Sequence, residues 1–164
     1  SKKMFKDNNI PRLFSNEHEN LIFTGWIIFK ENIFFGSGVK TFYKKCNEIK
    51  DKIYIKNQRE NIITCSTHPH NTYIQVLSEI GIFGFIFLMI FYLKTVFNII
   101  KNINNKKLTY LNKSYYYINL NIIINLFPII PSGSIFNNWL SLLIFFSFGF
   151  HIYMKKKISD EFEN

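Results

Sequence analysis

The chain has 164 residues, 20 Lys and Arg against 11 Asp and Glu for a net charge of +9, 19 Phe, 9 Tyr and no Ala. This composition excludes a disordered chain, a collagen-like chain and a disulfide-dense miniprotein, and the length permits one soluble domain or a few membrane spans. Eighteen of the basic residues are Lys and the common types follow A/T-rich codons in part, so the charge alone is no nucleic-acid footprint, and the mean hydropathy of +0.03 averages unlike blocks.

Residues 1–72 carry 12 basic and 7 acidic residues and read as a polar outer loop. Within it, Leu21, Ile22, Trp26, Phe29 and Ile33 recur at three- or four-residue intervals, which predicts an amphipathic helix over about 19–35. Asn16 with Glu19 resembles a capping pair at its start. Lys30 and Glu31 lie inside this short segment, so it suits a membrane interface better than a crossing. Gly36-Ser37-Gly38 ends it in a tight turn; the strand before and helix after that a phosphate loop requires are missing. Cys46 and Cys65, the only cysteines, are candidates for a disulfide in an oxidising compartment. Closing that loop would contribute roughly 3 kcal/mol, and two separate thiols are the alternative. Cysteine-ligated zinc lacks a second close Cys pair.

The most informative run is CSTHPHNTYIQVLSEIGIFG, Cys65 to Gly84. Pro69 favours an extended His68, and Asn71 is a good N-cap for the helix that follows. His70 therefore sits beside a helix N-terminus, whose exposed amides and positive dipole end favour a phosphate or pyrophosphate. Asn71, Gln75 and Glu79, spaced by four with Ser78 adjoining, form one polar stripe on an otherwise apolar helix. Such a stripe should face protein or a water-filled cavity. Gly81 and Gly84 would permit close approach of another helix. His68 and His70, even with His18, make a weak metal set with no paired carboxylate, and no metal is assigned.

From Tyr73 to Leu93 the only charge is Glu79, and from Ser114 to Met154 there is none. A helix rises about 1.5 Å per residue and a hydrocarbon core is about 30 Å thick, so about 20 residues make a crossing. These stretches predict a transmembrane helix over 73–100 and a transmembrane hairpin over 115–154, its arms about 115–130 and 136–154. The hairpin is broken by Pro128 and Pro131-Ser132-Gly133. Lys94, Lys101, Lys106, Lys107 and Lys113, and later Lys155, Lys156 and Lys157, have no acid among them. The positive-inside rule puts the 101–114 loop and the 155–164 tail in the cytoplasm, and residues 1–72 with the 131–135 turn on the opposite side. That side is the periplasm if the source is a Gram-negative bacterium. The reading is an all-α integral membrane protein, cut from the C-terminal end of a larger one.

The run HPHNTYIQVLSEIGIFGF resembles the signature of the O-antigen ligase and O-antigen polymerase superfamily, in which a periplasmic His-Asn pair leads into a helix ending Glu-x-Gly-x-x-Gly. GWIIFKENIFFGSGVKTF resembles the amphipathic helix and Gly-x-Gly turn upstream of it, and FPIIPSGSIFNNW the penultimate turn of polymerase-like members. The resemblance implies the C-terminal third of a GT-C-like polytopic glycosyltransferase in the bacterial inner membrane, acting on the periplasmic side. Such enzymes take a glycan from an undecaprenyl pyrophosphate carrier and pass it to lipid A-core or to a second lipid-linked repeat unit. They use no nucleotide sugar and no metal. The family's His maps onto His70, for acceptor activation or pyrophosphate contact, and its loop arginines onto Arg59 or Arg12. His68, Asn71, His18, Gln75 and Glu79 are the candidate substrate-binding or cavity-lining set. Protein O-oligosaccharyltransferase shares the superfamily. A membrane transport or scaffold subunit is the non-enzymatic alternative, and nucleic-acid binding is not expected because the Lys residues form no single patch.

Overall fold

The computed structural model describes residues 15–57, 63–102 and 110–163. They form six helices and, among the described residues, no strand: α1 (Asn16–Glu31), α2 (Phe42–Asn57), α3 (Thr72–Ile80), α4 (Ile82–Asn102), α5 (Tyr110–Asn125) and α6 (Asn138–Glu163). Arg12 and Arg59 lie outside the described residues, as does much of the Lys-rich 101–114 loop.

The predicted interfacial helix is α1, starting at Asn16 and stopping at Glu31 rather than spanning 19–35. Its N-cap is Ser15, whose hydroxyl accepts from the His18 amide; Asn16 is already the first helical residue. Lys30 in the last turn and Glu17 and Glu19 in the first suit the helix dipole. Leu21, Thr24, Gly25, Ile28 and Phe29 form its buried face. They meet α2 in a core cluster with Phe42, Cys46, Ile49 and Ile63. Helix α2 was not anticipated from the sequence, since the Lys-rich, polar run KKCNEIKDKIYIK masks the helically spaced Phe42, Cys46 and Ile49.

The transmembrane helix expected to run unbroken over 73–100 is two helices. Gly81 lies at φ 84°, ψ −168°, a conformation almost confined to glycine, and its amide turns back onto the Val76 and Leu77 carbonyls. The chain restarts as α4, whose Ile82–Lys101 portion is the one helix among the described residues long and apolar enough to cross a membrane. Only 17% of its apolar window is buried, so most of its apolar surface is left uncovered by this chain. Gly84, expected to admit another helix, does so within this chain: Ile80 and Val76 of α3 fill the space where a side chain on α4 would go.

Where a transmembrane hairpin over 115–154 was expected, α5 and α6 form a helical hairpin over 110–125 and 138–163 around a turn that contains Pro128 and Pro131. Among the described residues, neither arm is a long apolar helix of the kind α4 is. Tyr73 and Val76 of α3 pack with Leu88 and Tyr92 of α4, Ile122 and Leu126 at the end of α5, Ile135 of the turn and Ile144 of α6. The deep His151 of α6 is committed to protein, with Nδ1 2.9 Å from Asn119 Oδ1.

A methyl group at position 81 would collide with the Phe34 carbonyl and force a disfavoured φ. Gly81→Ala is therefore expected to cost about 2–3 kcal/mol, read as a lowered midpoint in thermal unfolding in detergent. An unchanged midpoint would mean that the helix break is not required.

Candidate functional site

Helix α3 has only nine residues, and Thr72, Tyr73, Gln75, Val76, Leu77, Ser78 and Glu79 are all buried. A short helix enclosed on all sides must have every polar group partnered, because each buried unsatisfied donor or acceptor costs about 1–3 kcal/mol. The polar stripe meets this demand through protein partners. Glu79 Oε1 accepts from the Phe42 amide at 3.1 Å, which anchors the start of α2. Its Oε2 accepts from Gln75 Nε2 at 3.2 Å. Gln75 Nε2 also donates to Ser134 Oγ at 2.8 Å, while Gln75 Oε1 accepts from the Ile135 amide at 3.1 Å. One stripe thus ties the outer helices to the turn between α5 and α6.

The C-terminal end of α3 is closed by the glycine turn. Ser37 and Gly38 amides donate to the Ser78 and Glu79 carbonyls, each at 2.9 Å, and the Ile82 amide donates to the Ile33 carbonyl at 2.8 Å. A side chain at Gly36, itself at φ 66°, would run into the Glu79–Ile80 backbone. The Gly-x-Gly turn therefore closes a helix end.

At the opposite end of α3, Asn71 is the N-cap expected from sequence: its Oδ1 accepts from the Tyr73 and Ile74 amides at 3.0 and 3.1 Å. Its Nδ2 donates to the Pro128 carbonyl at 2.8 Å, and Thr72 Oγ1 lies 2.8 Å from Ser132 Oγ. His70, immediately before the cap, has φ 53°, a left-handed conformation that costs a residue with a side chain roughly 1–2 kcal/mol. Its carbonyl accepts from the Ser132 amide at 2.9 Å, which holds that conformation.

Three imidazoles gather at this end. The His68 and His70 ring centres are 4.2 Å apart and those of His18 and His70 5.6 Å. His18 reaches the cluster from the first turn of α1 and holds Ser15 Oγ at 2.7 Å from its Nδ1; Ser66 Oγ is 3.5 Å from His70 Nε2. His68 Nδ1 lies 2.9 Å from Thr67 Oγ1, but its buried Nε2 makes no hydrogen bond of ordinary geometry. Burial pushes the His68 imidazole below its ordinary value, the neighbouring His70 lowers it further, and the Ser132 backbone opposes both. Among the described residues no set of three His, Cys, Asp or Glu side chains is placed to hold a metal ion.

Cys46 of α2 and Cys65 form a disulfide, with Cα atoms 5.6 Å apart. It fixes the start of the Ser66–His70 loop to the outer core cluster. The structure thus brings together His18, His68, His70 and Asn71 at one end of α3, and sets Gln75 and Glu79 inside it as supports. Ser132, Ser134, Ser66 and Pro128 were missed from sequence. Only the family-like PSGS turn could have signalled the first two; Pro128 was read as a hairpin breaker and not as a partner of Asn71, and nothing local marks Ser66.

Residues 15–89 match the family model described as O-antigen ligase, a stretch that runs from the N-cap of α1 to the second turn of α4. No curated protein and no solved structure matches the chain.

The depressed His68 imidazole has a stability consequence. The unfolded chain takes up a proton near the ordinary value of 6.5 while the folded loop does so only at lower pH. Stability is then full above 6.5 and falls as the pH drops through and below that value. Unfolding followed against pH should show this loss in the natural chain and a flatter profile for His68→Gln. Equal slopes in both would remove His68 from the acid response.

Proposed function

We propose that this chain is the outer-side catalytic portion of a membrane glycosyltransferase of the O-antigen polymerase or ligase type. On this reading it moves a glycan from undecaprenyl pyrophosphate to a hydroxyl of lipid A-core or of a second carrier-linked repeat. The observation that carries the reading is the strained His70, displayed at the N-terminal end of α3 within the stretch that matches the O-antigen ligase model. That match points to an O-antigen ligase- or polymerase-type role in general, and the apolar α4 points to a membrane protein. The carrier, the side of the membrane, the three crossings by α4, α5 and α6 and the GT-C-like architecture are part of this proposal.

The chemistry suits the arrangement. The sugar C1–O bond to pyrophosphate breaks as the bond from C1 to the acceptor oxygen forms, and the acceptor hydroxyl loses its proton. An imidazole works as base near neutral pH, and the positive dipole end of α3, whose Tyr73 and Ile74 amides are themselves held by Asn71, favours the departing pyrophosphate. His70 is assigned to acceptor activation or pyrophosphate contact, and His18 and His68 to the wall beside it. Arg59, with Arg12 as the alternative, is assigned to pyrophosphate neutralisation. Asn71 orients the helix end through its cap, and Gln75 and Glu79 hold the site in place from within. Polymerase is preferred to ligase because the PSGSIFNNW turn, whose Ser132 amide bonds the His70 carbonyl, resembles that of polymerase-like members. A transport role has less support, since Glu79 and His151 are both engaged by protein partners.

Two substitutions in the full-length protein separate chemistry from folding. His70→Gly relieves the left-handed strain and should be as stable as the natural chain or more so by about 1 kcal/mol, whereas His70→Ala keeps the strain. Both should abolish O-antigen chain formation on a lipopolysaccharide gel while the protein still inserts. A polymerase defect leaves one repeat on the core, and a ligase defect leaves none. A near-normal ladder from either variant would remove His70 from the mechanism.

A further inference from the structure

The loop between α1 and α2 exposes Phe34 and Phe35 at 62% and 78%, with Ile33 and Val39 also open. This exposure is imposed by the backbone. The Phe34 carbonyl is packed against Gly81, Ile33 holds the Ile82 amide, and Gly36 is wedged on the Glu79–Ile80 peptide. With the main chain pinned inward at three points, both phenyl rings are displayed outward. They meet Phe83, in the first turn of α4, at ring-centre distances of 6.1 and 5.8 Å. Phe83 in turn begins an uncovered row that continues through Phe87, Ile90 and Phe97 along the membrane-length helix.

The three rings therefore form the upper end of the surface that α4 would present to lipid. The chain on either side of Phe34 and Phe35 carries exposed cations: Lys30 in the last turn of α1, whose Nζ lies 5.6 Å from the Trp26 ring centre, Lys40, and Lys44 in the first turn of α2. Glu31 is the one acid between residues 30 and 44. Exposed aromatic rings in a segment bounded by exposed lysines suit a leaflet, whose acyl chains take the rings and whose anionic phosphates take the cations.

We propose that Phe34, Phe35 and Phe83 form an aromatic wedge seated in the bilayer leaflet at the N-terminal end of α4, with Lys30, Lys40 and Lys44 on the lipid phosphates. The wedge sets the height of the whole outer unit. Because the same loop closes the C-terminal end of α3, the His cluster at the other end of that helix is held at a fixed distance from the wedge. The wedge itself does not depend on the glycosyltransferase reading.

Both native cysteines are in the disulfide, so one introduced cysteine takes a nitroxide selectively. The full chain carrying Phe35→Cys would be reconstituted in phosphatidylethanolamine vesicles containing phosphatidylglycerol. Collision of the label with oxygen and with a water-soluble nickel complex would then be measured. Phe87→Cys, on the uncovered face of α4, and Lys50→Cys, on exposed α2, are the references. The expected result is a loss of nickel accessibility at position 35 to near the level at 87, with oxygen accessibility retained. Nickel accessibility equal to that at 50 would put the loop in water, and loss of both signals would mean that protein covers it; either overturns the proposal. Val39→Cys, at the rim of the same patch, should fall between the two references and repeats the test if the label at 35 disturbs the loop.

Discussion

A helix of nine residues leaves four carbonyls at its end without intrahelical partners, and α3 is too enclosed for water to supply them. The Ser37 and Gly38 amides, the reversed Gly81 amide and the amide of Ile82 on Ile33 close this junction from three directions. Only glycine can occupy positions 36 and 81, because a side chain at 36 would meet the Glu79–Ile80 backbone and one at 81 the Phe34 carbonyl and the Gly36 amide. The stop of α1, the start of α2 and the departure of α4 all follow from this contact.

The Gln75–Glu79 stripe extends the constraint through the molecule. Glu79 fixes the first residue of α2, and Gln75 reaches the turn between α5 and α6 with both its donor and its acceptor. That turn then returns to the other end of α3 through Ser132, which holds the His70 carbonyl and the Thr72 hydroxyl. The strained backbone at His70 is thus supported by groups about 60 residues away, and its cost of roughly 1–2 kcal/mol is tolerable only because that turn is itself anchored. The Cys46–Cys65 disulfide restrains the same loop from the outer side.

Much of this was legible in local sequence where one residue type has one physical use. Asn71 reads as a cap, Pro131-Ser132-Gly133 as a turn, and the 21–33 periodicity as a helix, although of its apolar residues only Leu21 and Phe29 enter the core while Trp26 and Ile33 are exposed. The stripe at 71, 75 and 79 was readable as buried, but its partners lie at 42 and 134–135, and no local pattern announces them. The break at Gly81 was hidden because apolar residues continue across it, so hydropathy sees one helix. Helix α2 was hidden for the opposite reason: its Lys residues mask the few apolar positions, Phe42, Cys46 and Ile49, that hold it. His18 joins His70 only because α1 packs across α3, a tertiary fact with no counterpart in spacing.

The central claim is that α3 and its two closures behave as one unit rather than as separate contacts. Amide hydrogen exchange of the full chain in a Gln75→Leu variant tests it most directly, because that change removes the bonds to Ser134, Ile135 and Glu79 Oε2 but none of the bonds that the Ser37 and Gly38 amides make to the end of α3. If the unit is coupled, exchange will accelerate at Ile135 and also at Ser37, Gly38 and Phe42. Faster exchange confined to Ile135 would contradict the account.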